Sequence, residues 1–234
     1  MTPHQQFTRH AESYDRYNMI QTRVARALAD SIRTRPRHLV DLGCGSGGFF
    51  RAWGRPFTSY LAIDLSSRML ARHPDAPGVK KQVGDFNDPA LFEDLARRDF
   101  DLLVSSSALQ WSKDLDATLA GIAALGKPVA LTIFTDGTFR SLRQVTGSPS
   151  PIRSWEESVA SLRRHLDVRI DRLSYRLYFD DTLAMLRYIK RSGVSGGRKM
   201  LTLKETRRLL EAYTLPYLEF EVIRALSPRL TGTI

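Results

Sequence analysis

Apolar positions fall into short blocks whose period changes along the chain. Residues 19–33 place Ile20, Val24, Ala27, Leu28 and Ser31 at helical spacing, with Pro36 just past the end. "HLVDLG" (38–43) is a compact apolar run and reads as a strand; "GGFFRAWG" (47–54) then opens a helix that Gly54 and Pro56 close. The exchange repeats. Strands are predicted at "SYLAIDLS" (59–66), "VKKQVGDF" (79–86), 100–105 and "PVALTIF" (128–134), with helices between them at "SRMLARH", "PALFEDLA" (89–96) and "DLDATLAGIAAL" (114–125). Such alternation implies a parallel sheet with helices on both faces. "LAID", "DLLV" and "VALTIF" are apolar throughout, as strands buried on two sides require.

Beyond residue 138 the alternation stops. Residues 138–165 read as helical or irregular, punctuated by Gly147, Pro149 and Pro151. "DVRIDRLSYRLYF" (167–179) alternates like a strand, 181–191 is a helix, and "SGVSGGRKM" is a loop. A further helix follows in "LTLKETRRLLEAY", where Thr202 and Glu205 form a capping box, and 217–226 is the last strand. The expectation is a single α/β domain over 1–234, a three-layer sandwich around a mostly parallel seven-stranded sheet. Within it, 1–35 would be an N-terminal helical lid, 36–136 the ligand-binding core, and 137–234 the partner or substrate region with the last two strands.

Composition narrows the setting. Hydrophobic residues make up 42%, enough for a full core. No apolar run approaches the roughly 20 residues of a membrane span. "MTPHQQFTRHAESYD" lacks the apolar region of a secretory signal, and Cys44 is the single cysteine, so an internal disulfide is excluded. These features predict the cytoplasm. The net charge of +10 is uneven: 17 basic against 15 acidic residues in 1–138, but 18 against 10 in 139–234. A basic surface of that kind suits nucleic acid, an anionic membrane, an acidic protein or an acidic substrate, or is simply a solvated face.

The chemistry concentrates where the first strand ends. Asp41 is followed by Gly43, Gly45, Gly47 and Gly48. In an open α/β sheet, ligands bind beyond the carboxyl ends of the strands, and glycines there let a ligand touch the backbone. A P-loop would end in Lys-Ser or Lys-Thr, which this loop lacks. Gly43, Gly45 and Gly48 satisfy a dinucleotide spacing, so glycines alone leave NAD open. Asp64 closes the second strand about 20 residues on, where a carboxylate can accept ribose hydroxyls. Asp85 follows the third strand and can accept from an exocyclic amine such as adenine N6. Three carboxylates suit a cationic adenosine ligand better than a pyrophosphate. The histidines at 4, 10, 38, 73 and 165 show no metal-ligand spacing, and no metal is expected.

D-x-G-x-G-x-G with Asp64 and Asp85 at later strand ends resembles the class I S-adenosylmethionine-dependent methyltransferases, with their Rossmann-like fold and helices inserted over the active site. The likeness extends further. "FTRHAESYDRYNMIQ" (7–21) is similar to the F-x-R-A-A-x-x-Y-D/E-x-x-A-x-x-Q signature of the malonyl-acyl carrier protein O-methyltransferases of biotin synthesis. "SSSALQW" (105–111) resembles that family's S-N-L-A-L/V-Q-W, with Ser106 and Ser107 in place of Asn-Leu. "LYFDDTLAMLRYIKRSGV" (177–194) resembles its F-x-D/S-x-L segment, and "LEFEVI" sits where its last strand sits.

The resemblance implies S-adenosyl-L-methionine as cofactor, cradled by Gly43, Cys44, Gly45 and Gly47 with Asp41. Asp64 would hold the ribose and Asp85 the adenine amine. Leu65, Met69, Gly84, Phe86, Ser105, Ser106 and Gln110 would complete the site, with Tyr14 and Gln21 over it, Trp111 as a wall, and Phe7 and Arg9 in the lid. It implies methyl transfer to the free carboxylate of malonyl-acyl carrier protein. That carboxylate is ionised at pH 7 and needs no general base, only positioning. Tyr14, Arg187 and Lys190 are the first candidates to position it, Arg140 and Arg143 the second. An acidic carrier protein would dock on the basic C-terminal region, where Arg191, Arg198, Lys199, Lys204, Arg207 and Arg208 cluster. Neither nucleic acid nor membrane is then a partner. The alternatives are a methyltransferase of a free small carboxylic acid or a quinone ring and, less well supported for want of an aromatic-interleaved basic motif, an RNA-binding protein or RNA methyltransferase.

Overall fold

The computed structural model describes residues 18–191 and 202–232. Seven strands form one sheet: β1 (His38–Leu42), β2 (Ser59–Asp64), β3 (Val79–Val83), β4 (Leu102–Ser106), β5 (Val129–Phe134), β6 (Arg169–Tyr178) and β7 (Tyr217–Leu226). Their order is β3-β2-β1-β4-β5-β7-β6. β1 to β5 run parallel, and β7 is antiparallel to both β5 and β6. From β1 the chain moves outward to β2 and β3, then returns to β4 on the other side. That reversal between β1 and β4 opens the crevice where an α/β sheet holds its ligand.

Helix α1 (Met19–Ser31) precedes β1, and α2 (Gly48–Trp53), α3 (Ser67–Arg72), α4 (Pro89–Ala96) and α5 (Leu115–Ala124) link the parallel strands; α6 (Arg140–Thr146), α7 (Trp155–His165), α8 (Thr182–Arg191) and α9 (Leu203–Ala212) belong to the second half. Alternate strand residues serve opposite faces. Val40, Leu42, Leu61, Ile63, Leu103 and Leu131 pack on α4, α5 and α7. Leu39, Tyr60, Ala62, Leu102 and Val104 pack on α1 and α2. A third cluster joins Ile20 and Val24 of α1 to Phe134, Phe220, Val222 and the buried faces of α8 and α9. The central strands are accordingly buried on both sides, whereas the edge strand β3 is half-exposed.

Differences from the sequence reading have local causes. The third strand stops at Val83, not Phe86; Gly84 still donates to Asp64 O at 3.1 Å and packs so closely that a Cβ there would press on Ile63 at 2.9 Å. The fourth begins at Leu102, because the Asp101 carboxylate instead accepts from the amides of Arg37 and His38. The irregular 138–165 stretch resolves into α6 and α7. α7 opens with a capping box, Ser154 with Glu157, like the expected Thr202–Glu205 box at α9.

Candidate active site

Loops that follow β1 to β4 converge on a cavity of about 550 Å³. Its floor is the glycine loop. Gly43 and Gly45 have φ of +77° and +55°, and a Cβ on Gly43 would collide with the Ala108 methyl. The Gly43 and Cys44 amides both donate to Ile63 O, which ties the loop to the end of β2. Only a residue without a side chain turns here and leaves backbone facing a ligand.

Acidic groups surround that floor. Asp41 is 1% exposed; Tyr60 donates to its Oδ2 at 2.6 Å, and its Oδ1 has no partner. Burial, opposed by the Tyr60 bond and reinforced by the Asp64 charge, pushes its pKa up to about 7. Asp64 ends β2 and accepts from Gly45 N (2.9 Å) and Ser66 N (2.8 Å). Asp85 accepts from the Asn87 amide and side chain on Oδ1. From α1, Gln21 brings a buried carbonyl oxygen that has no partner. Orphaned acceptors of this kind fit a ligand that donates hydrogen bonds and carries positive charge. S-Adenosylmethionine, with its ammonium, sulfonium, ribose hydroxyls and adenine amine, meets that donor demand.

The structure brings Gln21, Asp41, Gly43, Cys44, Gly45, Asp64, Leu65, Met69, Asp85, Phe86 and Ser106 to the cavity wall, with Trp111 beside them. Other expected members stand back from it. Ser105 is fully buried and its hydroxyl donates to Leu42 O, which locks β4 to β1. Gln110 is buried and donates to Ser107 O. Gly47 packs under Pro74 and His73, and Gly84 against Ile63 and Leu91.

The candidate substrate cations are displaced too. Arg143 donates both guanidinium arms to carbonyls, Thr138 O and Asp136 O, so it clamps the loop after β5; burial holds its pKa below the usual arginine value. Arg140 faces solvent with the buried Glu221 at 3.9 Å, and Arg187 lies on the exposed side of α8. None of the three lines the cavity. Tyr14, Phe7, Arg9, Arg198 and Lys199 lie outside the described residues, as do the side chains of Lys190, Arg191 and Lys204. Arg207 and Arg208 are exposed on α9, where Arg207 pairs with Glu211.

Several wall residues lie outside the expected set. Asn18 and Thr22 lie one helical turn apart at the start of α1; Asn87 follows Asp85 by two; Ser107 and Lys113 come from the loop after β4. Lys113 is the one cation in that wall among the described residues.

Residues 40–131 match the family model described as a methyltransferase domain. The chain is 27% identical over 202 residues to the malonyl-acyl carrier protein O-methyltransferase of Erwinia billingiae, covering 82% of this chain and 78% of that one. It is 36% identical over 159 residues to the protein of the same name from Magnetococcus marinus, covering 59% and 56%. The solved structure of the YcgJ protein from Bacillus subtilis shares the fold at a TM-score of 0.60 and 15% identity, over 88% of this chain and 98% of that one.

Proposed function

We propose that the chain is a class I methyltransferase that uses S-adenosylmethionine, and that it methylates the free carboxylate of a malonyl group carried on an acyl carrier protein. The observation that supports this reading is the similarity to relatives of that name across most of the chain, 27% over 202 residues in one and 36% over 159 in another. The resulting methyl ester would start pimeloyl assembly for biotin.

The cofactor supplies an electrophilic methyl on a sulfonium. What the chain must do is bind, orient and dry the site. We assign the ribose hydroxyls to Asp64 and the adenine amine to Asp85. The orphan oxygens of Asp41 and Gln21 take the amino-acid end of the ligand, where an ammonium satisfies both. Phe86, Leu65 and Met69 give the cavity an apolar wall. The acceptor carboxylate is already ionised at neutral pH. Rate enhancement then rests on alignment and on loss of the carboxylate's water shell. An acidic carrier would approach over the exposed arginines of the second half, including Arg207 and Arg208.

The test is direct. Purified protein, S-adenosylmethionine and malonyl-acyl carrier protein are incubated and the carrier is read by mass spectrometry, beside free malonate and malonyl-CoA. The reading predicts a methyl gain on the carrier-bound malonyl group in preference to the free acid. Methylation of free malonate alone, or none of any acceptor by folded protein, contradicts it.

A further inference from the structure

Ser107 holds an unusual place in this wall. It is one of two described non-glycine residues with positive φ, at 61°. Backbone in that region costs a serine energy, and such residues persist where their surroundings over-determine them. Here the surroundings are explicit. The Ser107 amide donates to both Thr132 O (3.0 Å) and Thr132 Oγ1 (3.1 Å), while its carbonyl accepts from Gln110 Nε2 at 2.6 Å. The next residue, Ala108, stands so close to Gly43 that no side chain fits between them. The turn therefore wedges the loop after β4 between β5 and the glycine cradle.

All those bonds use backbone atoms of Ser107. Its hydroxyl is buried and has no partner, although the residue lines the cavity. Among the described residues, every other hydroxyl of the wall is engaged. Thr22 meets Asn18 Oδ1, Ser46 accepts from Arg51, Ser66 caps the Met69 amide, and Ser106 accepts from Thr132. An orphaned hydroxyl is a standing cost, and rotation about one χ1 bond moves it between staggered positions. The same residue is half-buried and borders the cavity.

We infer that Ser107 is an acceptor-binding residue: its hydroxyl donates a hydrogen bond to an oxygen of the acceptor, either the carboxylate being methylated or the thioester carbonyl beside it. The division of labour on the wall favours this. The cofactor's ammonium, ribose and amine are donors and are met by carboxylates and Gln21. A carboxylate or thioester presents only acceptor oxygens and needs the opposite, a donor. The inference rests on the acyl acceptor proposed above, and it names a residue at which the family pattern carries leucine.

Two substitutions separate the hydroxyl from the backbone. Ser107→Ala removes the hydroxyl and keeps a Cβ in the left-handed turn; Ser107→Gly removes the hydroxyl and eases the turn. KM for malonyl-acyl carrier protein, kcat, and the Kd of S-adenosylhomocysteine are measured for each. Both variants should raise acceptor KM by roughly ten- to hundredfold, the weight of one hydrogen bond to a charged group, with the S-adenosylhomocysteine Kd within about twofold of wild type. An unchanged acceptor KM in the glycine variant overturns the inference, as does an equal loss of S-adenosylhomocysteine affinity. If wild type methylates free malonate or malonyl-CoA instead of the carrier, the acceptor reading falls, and the same KM comparison on that substrate still decides Ser107. If none of the three is methylated, both fall.

Discussion

Asp41→Asn should remove a pH dependence of stability that one buried carboxyl imposes on the whole fold. In the native protein its pKa is pushed up to about 7 by burial, opposed by Tyr60 and reinforced by Asp64. In the unfolded chain the value is close to 3.8. Between those values the folded state keeps a proton that the unfolded state releases. Stability is therefore greatest below the unfolded pKa, falls as pH rises through the interval, and levels off above the folded pKa. At about 1.4 kcal/mol per pH unit, the interval from pH 5 to pH 8 costs this group about 3 kcal/mol. For a domain of this size that is a drop in Tm of roughly 6–12 °C. The variant's amide would keep an oxygen for the Tyr60 hydroxyl, which lies 2.6 Å from Asp41 Oδ2, and has nothing to titrate. The assay is thermal unfolding by circular dichroism at pH 5, 6, 7 and 8, for both proteins. The difference between them should shift in favour of the variant by several degrees as pH rises. Parallel curves would refute the reasoning. A cationic ligand against Asp41 favours the ionised form, so wild-type affinity for S-adenosylmethionine should rise with pH up to about 7, and the variant's should not.

Other outcomes follow from the same geometry. Gly43→Ala places a methyl in left-handed backbone and into Ala108, so it should cost more than about 1 kcal/mol in denaturant titration and abolish S-adenosylhomocysteine binding in calorimetry. Asp64→Ala removes the acceptor for the Gly45 and Ser66 amides; calorimetry should show a Kd raised by roughly ten- to hundredfold. Arg143→Ala frees the Thr138 and Asp136 carbonyls of their clamp; it should lower Tm by a few degrees, while a direct acceptor contact would instead raise acceptor KM with Tm unchanged.

Much of this was legible in the chain itself, for reasons that differ by element. β1, β2, β4 and β5 were legible, give or take a residue or two at their ends, because strands buried on two faces are mostly apolar, and Val40, Leu61, Leu103 and Val129 carry that constraint. β3 read three residues too long, since an edge strand is under weaker pressure and Val83 is 59% exposed. α7 was obscured although its capping box stands in plain view at Ser154 and Glu157; Gly147, Pro149 and Pro151 break the periodicity just before it.

The carboxylates of the site were readable because strand ends in this architecture are fixed in space, so Asp41, Asp64 and Asp85 meet wherever the strands form. Arginines were not. A guanidinium reaches far, and nothing in the sequence says that Arg143 meets backbone carbonyls or that Arg187 faces outward. Ser105, Ser106 and Ser107 form one short run with three fates: a strand tie, a cavity wall, and an orphaned hydroxyl. The αL turn at Ser107 separates them, and no local propensity of serine announces it.

On the proposed function, the crevice above β1 to β4 holds the adenosyl ligand through bare amides and the three carboxylates. A crystal structure with S-adenosylhomocysteine tests it most directly. The expected density lies against Gly43 and Gly45, with the ribose at Asp64 and the adenine amine at Asp85. Density at another site, or a ligand in the crevice that touches neither carboxylate, would contradict it.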